Sequence, residues 1–380
     1  MTPTPVLLVD HASGMGGAEH SLLRLIAHVD RRAWEVHVAC AAEELAAEVE
    51  RAGGVAHRLP MPRLRRSPLG PLALLRGARA LAELADSCGA ALIHGNTVRA
   101  SIYAALAARW ARRPWIWHMR DFYLGEGPPR LVSIDRAGKM LLAASAARVI
   151  ANSRAVGESL PVQGKVTVIY NGVDLPDESA LLGGEGFRRA HGIALTAPVV
   201  GMVGRLRPWK GQDRFLRAMA VVVRHVPSAR FLIVGGSPLA EADAYERALR
   251  RLAADLGLGA SAIFTGHLSD VRPALAAMDV FVHPGDPEPF GLVNIEAMAM
   301  QRPVVGFRHG ALPEIVVDGE TGILVRPVDE RALAEAVIAL LGDPQARLSM
   351  GRAARARVAA HFTADRMARQ VEAVWREVIG

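Results

Sequence analysis

The stretch Val199-Val200-Gly201-Met202-Val203-Gly204-Arg205-Leu206-Arg207-Pro208-Trp209-Lys210-Gly211-Gln212 decides the architecture. It opens on a short apolar run rich in valine, the mark of a buried strand. A basic loop bracketed by glycines follows, and from Gln212 to Arg224 apolar residues recur at helical spacing. The same order repeats downstream. Strands are expected at Arg230 to Val234, Ile263 to Thr265, Val280 to His283 and Val304 to Gly306, with helices at Ala240 to Leu256 and Leu292 to Met300. Such alternation specifies a parallel sheet covered by helices on both faces.

Upstream, residues 171–198 carry Gly172, Pro176, Gly183, Gly184 and Gly186 among acidic residues and read as a connection between domains. A first alternation precedes it. Its strands are expected at Val6 to Val9, Trp34 to Ala39, Leu92 to His94, Trp115 to His118, Arg148 to Ala151 and Val166 to Ile169. Helices are expected at Ala18 to Val29, Pro71 to Asp86, Val98 to Ala111 and Leu131 to Ala146. The 380 residues exceed one ordinary core, since domains usually hold about 100 to 200 residues. The expectation is therefore two doubly wound, Rossmann-like domains, over residues 1–175 and 176–360, with a helix over 361–380 packing back on the first. The chain from Asp329 onward reads as helical. In such sheets ligands bind beyond the carboxyl ends of the strands, so the loops after strands are where chemistry is sought.

Hydrophobic residues make up 51% and charged residues 22%, the balance of a packed globular protein and not of a disordered or fibrous one. The opening MTPTPVLLVDHASG lacks a positive leader and meets Asp10 after a very short apolar run, so it is expected to be a first strand and not a secretory signal. Arginines break each Ala/Leu-rich stretch, as between Leu72 and Leu84, well short of the roughly 18 apolar residues of a membrane span. Cys40 and Cys88 are the two cysteines, read as reduced thiols in a cytoplasmic setting. Net charge is +7, with 21 Lys and Arg against 15 Asp and Glu in residues 1–175 and 24 against 23 in the remainder. A basic first half attracts anionic partners, and Arg63-Leu64-Arg65-Arg66 is its densest part; a solvated surface is the plain alternative. Only Lys139, Lys165 and Lys210 are lysine, so a lysine in this arginine-rich chain reads as a choice of compact ammonium.

Three loops carry chemistry. Between the first strand and helix lies Asp10-His11-Ala12-Ser13-Gly14-Met15-Gly16-Gly17-Ala18-Glu19, where glycines permit close backbone approach and a helix N-terminus offers N–H groups to a phosphate. It lacks the G-x-G-x-x-G spacing, and a plain glycine turn is the alternative. In the loop from Gly204 to Gly211, Arg205 and Lys210 project from the sheet edge, where two cations can neutralise a diphosphate leaving group without a metal. Arg207 assists or is solvated. The third, from His283 to Ala299, holds Glu288 in a Pro/Gly-bounded loop and Glu296 on the following helix. Glu296 is flanked by Ile295, Ala297 and Met298, and a carboxylate in such surroundings needs hydroxyl partners. Sugar and ribose hydroxyls fit that need.

The segments GMVGRLRPWKG, EPFGLVNIEAMA and GALPEIVVDGETGILV resemble family 4 of the retaining glycosyltransferases. HASGMGGAEHSLL, WHMRD, ANSRAV and NGVD fall in the family's order, so the resemblance covers nearly the whole chain. It implies the GT-B fold, two facing Rossmann-like domains with a nucleotide-sugar donor in the cleft between them. It further implies that Arg205 and Lys210 stabilise the donor diphosphate, Glu296 holds the ribose hydroxyls and Glu288 faces the transferred sugar. The amides of Phe290, Gly291 and Leu292 would bind sugar hydroxyls or phosphate, and Gly16 and Gly17 would close over the phosphates. His118 corresponds to a histidine near the sugar; a packed strand-end histidine is the alternative. Arg120, Asp121 and Asn152 are further candidates. Gly285 and Asp286 stand where the family often has small hydroxyl residues, and Asn294 where it is usually apolar. The implied reaction retains anomeric configuration by attack on the face the diphosphate leaves, with neither cofactor nor metal, unlike the two-carboxylate glycosidase scheme.

A hexose-type sugar, a lipid-linked or glycan acceptor in envelope or extracellular polysaccharide synthesis, and contact with the anionic inner face of a membrane through Arg63, Arg65 and Arg66 beside Leu64 and Leu69 complete the expectation. A soluble small-molecule acceptor and a sugar-nucleotide epimerase of the same architecture are the alternatives. A dehydrogenase would need the absent dinucleotide fingerprint. A nucleic-acid partner is not expected, because no basic stripe is interleaved with aromatics in a chain that is 5% aromatic.

Overall fold

The computed structural model describes residues 2–62, 70–125, 128–129, 131–236 and 240–380. The basic cluster at Arg63, Leu64, Arg65, Arg66 and Leu69 lies outside the described residues. The chain divides into two compact units, Met1–Asp174 with Thr363–Gly380, and Leu175–Phe362.

The first unit is built on seven parallel strands, β1 Thr4–Asp10, β2 Trp34–Cys40, β3 Val55–Arg58, β4 Ile93–Gly95, β5 Trp115–Met119, β6 Arg148–Ala151 and β7 Val166–Val168, in the order β3-β2-β1-β4-β5-β6-β7. Two-residue periodicity feeds two cores from one strand: Leu7 and Val9 of β1 enter one cluster, Val6 and Leu8 the other. Helices Gly70–Ser87 and Val98–Ala111 pack on the first face. Helices Gly17–His28 and Ala364–Ile379 close the second. The last helix buries Met367, Ala368, Val371, Val374 and Trp375 at helical spacing, and Trp375 meets Trp34 edge to face with centroids 5.2 Å apart. Strand β3 and the helix Glu43–Arg51 are additions to the sequence expectation. Strand β3 is an edge with one neighbour, so its residues are exposed or half-buried and carry no apolar run.

The second unit has six parallel strands, β8 Val199–Val203, β9 Arg230–Val234, β10 Ala262–Gly266, β11 Val280–His283, β12 Val304–Phe307 and β13 Gly322–Val325, ordered β10-β9-β8-β11-β12-β13. Helix Gln212–His225 buries Phe215, Leu216, Met219 and Val222 against this sheet, beside Leu333, Val337 and Leu340 of helix Glu330–Gly342. The stretch read as a connection folds into helices Glu178–Leu182 and Gly184–Ala190, which belong to this unit. Arg188 ties the second helix down, donating to the Ala277 carbonyl at 2.9 Å and pairing with Asp279 at 3.0 Å. Gly184, read as a breaker, is a close-packing position, since a Cβ there would lie 2.4 Å from the Ala276 carbonyl oxygen. Among the described residues no helix is long and apolar enough to cross a membrane.

Candidate functional site

In the second unit the chain leaves β8 for β9 on one side and reaches β11 on the other, so β8 and β11 flank the switch point of the sheet. The loops that follow them, residues 204–211 and 284–291, are the two motifs richest in chemistry. Pro208–Lys210 makes one 3-10 turn, and Gly211, at φ +73°, caps helix Gln212–His225. A Cβ at Gly211 would stand 2.2 Å from the Pro284 carbonyl oxygen, so both backbone conformation and approach demand glycine. Further bonds join the loops. The Asp286 N–H donates to the Trp209 carbonyl at 2.7 Å, and Arg214 pairs with Asp286 at 2.8 Å while donating to the Pro284 carbonyl at 3.3 Å.

Across this joint Lys210 donates a charge-assisted hydrogen bond to the Glu288 carboxylate. Burial pushes the Glu288 carboxyl up, but Lys210, His283 and Arg205 together pull it further the other way, and it rests below its ordinary range. It is a carboxylate at neutral pH. His283, at the end of β11, is lowered by burial to about 4 and is therefore neutral there. Arg205 is exposed on the same loop as Lys210. The Ala311 N–H donates to the Glu288 carbonyl at 3.0 Å, so the segment beginning at Gly310 holds the backbone of this carboxylate.

Phe290 is buried edge-on against Phe362, with centroids 6.1 Å apart, and anchors the loop. Gly291 then caps helix Leu292–Ala299, and Gly291 and Leu292 are half-buried at a helix N-terminus aimed from the sheet edge. Asn294 is buried; its Nδ2 donates to the Gly291 carbonyl at 3.1 Å, and its Oδ1 has no hydrogen-bond partner among the described residues. Glu296 is half-buried on this helix between buried Ile295 and Ala297, and is no member of the Lys210–Glu288 pair.

The first unit has its own switch point, between β1 and β4. Gly16 caps helix Gly17–His28 from an extended conformation, half-buried, with Gly17 exposed. Behind this loop is a polar network. Asp10 accepts from the Ala12 N–H at 2.8 Å and from Asn96 at 2.7 Å. Arg120 donates to Asn96 at 2.9 Å, Ser21 at 2.8 Å and Asn171 at 2.7 Å. Burial raises the Asp10 carboxyl, and burial reinforced by Asp10 pushes Glu19 up to about 7. Arg120 is lowered to about 10 by burial, against the pull of Asp10 and Glu19.

His118 is buried at the end of β5, with Nδ1 3.2 Å from His94 Nε2 and 3.3 Å from Arg120 Nη2. Burial first, and Arg120 second, hold His118 well below the usual histidine range and His94 at about 3. Asp121 accepts from the Phe122 N–H at 2.7 Å, and Asn152 donates weakly to the Arg120 carbonyl at 3.4 Å.

The structure thus joins Lys210 to Glu288 beside Arg205, and His118 to Arg120. Asp10, Glu19, Ser21, His94, Asn96, Asn171 and Trp375 are participants that sequence reading did not single out. One signal was available for some of them: Asp10 ends β1 and Asn96 stands directly after β4, polar residues closing apolar strands. Trp375 carries no such signal, because its helix is some 280 residues from His94 in the chain and only folding brings them together.

Comparison with known proteins covers both units. The sequence model of Glycosyltransferase Family 4 matches residues 15–176, and that of Glycosyl transferases group 1 matches residues 185–357. The chain is 42% identical over 167 residues to a GDP-mannose-dependent alpha-(1-6)-phosphatidylinositol monomannoside mannosyltransferase of Mycolicibacterium smegmatis, 42% of each chain. It is 34% identical over 241 residues to the lipopolysaccharide core biosynthesis mannosyltransferase LpcC of Rhizobium leguminosarum, 61% of this chain and 65% of that one. The matched stretch therefore spans 42% and 65% of the length of these two curated relatives. Among solved structures, HepE of Anabaena in complex with UDP and glucose superposes with a TM-score of 0.82 at 26% identity, over 98% of this chain and 99% of that one. With two parallel-sheet units that match the family one after the other, the chain has the GT-B fold and belongs to glycosyltransferase family 4.

Proposed function

We propose that the protein transfers a hexose-type sugar from a nucleoside-diphosphate sugar to an acceptor hydroxyl, with retention of anomeric configuration. The observation that carries this reading is the Lys210–Glu288 pair on joined loops at the β8/β11 switch point, with Arg205 beside it. A bound diphosphate would draw Lys210 and Arg205 to its oxygens and neutralise the charge that grows as the glycosidic bond breaks. Glu288, then released from Lys210, faces the sugar hydroxyls and the positive charge developing at the anomeric carbon, a charge that favours its carboxylate form. Attack on the face vacated by the diphosphate needs no covalent bond to Glu288. The backbone of Phe290, Gly291 and Leu292 would bind phosphate or sugar hydroxyls, Glu296 the ribose, and Gly16 and Gly17 the phosphates. His118 is assigned to the sugar end.

Two cations in place of a metal make the reaction metal-independent in this reading, and turnover is expected to persist in excess EDTA. The named relatives support a lipid-linked or envelope-glycan acceptor and supply the two donor bases to compare, GDP-mannose in the M. smegmatis enzyme and UDP in HepE. The test is thermal melting with UDP, GDP, ADP, dTDP and NAD on the wild type and on Glu296→Ala, because a ligand bound only by the folded state raises its melting temperature. One nucleoside diphosphate is expected to raise it, less so in the variant, and the matching labelled sugar nucleotide then reports transfer. Stabilisation by NAD alone would overturn the reading, and conversion of the sugar nucleotide without acceptor would move it to an epimerase.

A further inference from the structure

The chain Trp375, His94, His118, Arg120, buried as far as His118 and half-buried at Arg120, is bounded at both ends by groups that can only donate. Indole Nε1 of Trp375 lies 3.0 Å from His94 Nδ1, and an indole nitrogen has no lone pair to offer. His94 Nδ1 is therefore the acceptor, and the proton of the neutral ring sits on Nε2. That N–H points at His118 Nδ1, 3.2 Å away. The Arg120 guanidinium, also a donor only, addresses the same Nδ1 at 3.3 Å. His118 Nδ1 thus accepts twice, and its own proton belongs on Nε2. Protonating either ring would set N–H against N–H, so the geometry keeps both neutral, in the direction that burial also drives them. The other charged groups of this cluster, Asp10 and Glu19, act on Arg120 and not as acceptors for either imidazole.

His118 Nε2 is buried and has no hydrogen-bond partner among the described residues. A buried N–H in that state is costly until an oxygen reaches it. We propose that Trp375 and His94 are positioning residues that lock His118 into the neutral Nε2–H form, making it a hydrogen-bond donor to a substrate oxygen and not a general base. The substrate part rests on the assignment of His118 to the sugar end; the tautomer does not, since it is measured without turnover.

The experiment uses full-length protein labelled with 15N-histidine, with the His118 signal assigned by its loss in His118→Gln. Long-range proton–nitrogen spectra at neutral pH are expected to show a protonated Nε2 and a bare Nδ1. Trp375→Phe, which keeps an aromatic ring but removes the donor, is expected to release His94 and, with only the longer Arg120 contact left on His118 Nδ1, to let the second tautomer of His118 appear. His94→Gln, whose amide can accept from Trp375 and donate to His118, is expected to restore the single tautomer, while His94→Leu does not; this pair gives the same readout should Trp375→Phe fail to fold. With the labelled donor, Trp375→Phe is expected to lower kcat about tenfold, the size of one lost supporting hydrogen bond, with KM for the donor nearly unchanged. His118→Gln, still a donor, is expected to retain at least about tenfold more kcat than His118→Ala. A proton on Nδ1 of wild-type His118, or one tautomer kept through both Trp375→Phe and His94→Leu, would overturn the lock. Equal loss in His118→Gln and His118→Ala would overturn the donor role while leaving the lock standing.

Discussion

At the β1/β4 edge of the first unit, Asp10 and Glu19 are buried and Arg120 is engaged by four side-chain acceptors. At the β8/β11 edge of the second, the side chains of Lys210 and Glu288 keep 24% and 17% of their exposure, form a single ion pair, and have Arg205 exposed beside them. Both edges are switch points of parallel sheets, and both carry cations and carboxylates, yet the physics separates their work. A charge enclosed among fixed hydrogen bonds holds neighbours in place, because removing it strands buried partners. The Lys210–Glu288 pair is partly buried but rests on one contact with an open side, and under the proposed function an incoming diphosphate draws Lys210 away from Glu288. The first edge is the more tightly bonded, and the proposed function places the exchangeable site at the second.

The largest effect expected from this contrast is on stability. Arg120→Gln is expected to cost about 3–5 kcal/mol in urea denaturation, as breaking an enclosed ionic network does. Lys210→Gln, which breaks one partly buried pair, is expected to cost less, about 1–2 kcal/mol. Equal losses would erase the distinction between the edges. Activity should reverse the order of blame: Lys210→Gln is expected to lower kcat/KM for the labelled sugar nucleotide by about 10²–10³-fold, the size of one lost transition-state charge contact. A smaller effect, about tenfold in nucleoside diphosphate affinity by calorimetry, is expected for Glu296→Ala, which removes a hydroxyl acceptor without touching the ion pair.

The smallest effect is a pH slope confined to the first edge. The Glu19 pKa is raised in the folded state to about 7 from 4.5, so its protonated form stabilises the fold fully below about pH 4.5. That contribution fades as pH rises through about 7, because the folded state then binds the proton the unfolded state has already released. Melting temperature is expected to carry this downward slope in the wild type and to lose it in Glu19→Gln. Glu288 has the opposite sign: with its folded pKa depressed, its ion pair stabilises above the ordinary carboxylate range and weakens as pH falls below it. A slope that survived in Glu19→Gln would place its origin elsewhere.

How much was legible beforehand differs between the edges for the same reason. Lys210 and Glu288 stand on loops marked by glycine and proline, each directly after an apolar strand, so local sequence exposes them. The helices Glu178–Leu182 and Gly184–Ala190 were concealed by those same residue types, since Gly184 reads as a breaker until Ala276 is seen packed against it. The network around Arg120 was less visible still. Asn96, Arg120 and Asn171 each look like an ordinary polar residue after a strand, and their common purpose appears only when the strands from β1 through β4, β5 and β6 to β7 are set in one sheet.

The sequence by itself determined the repeated strand, loop and helix order, the position of the reactive loops at strand ends, and the identity of the charges they carry. These follow from hydrophobic period and backbone chemistry, which act over a few residues. Only the tertiary structure decided which loops become neighbours, that Lys210 meets Glu288, and that Trp375 closes on His94 to set the proton of His118. Strand order and the return of the final helix to the first unit are settled by packing between segments remote in the chain, where no local pattern reaches.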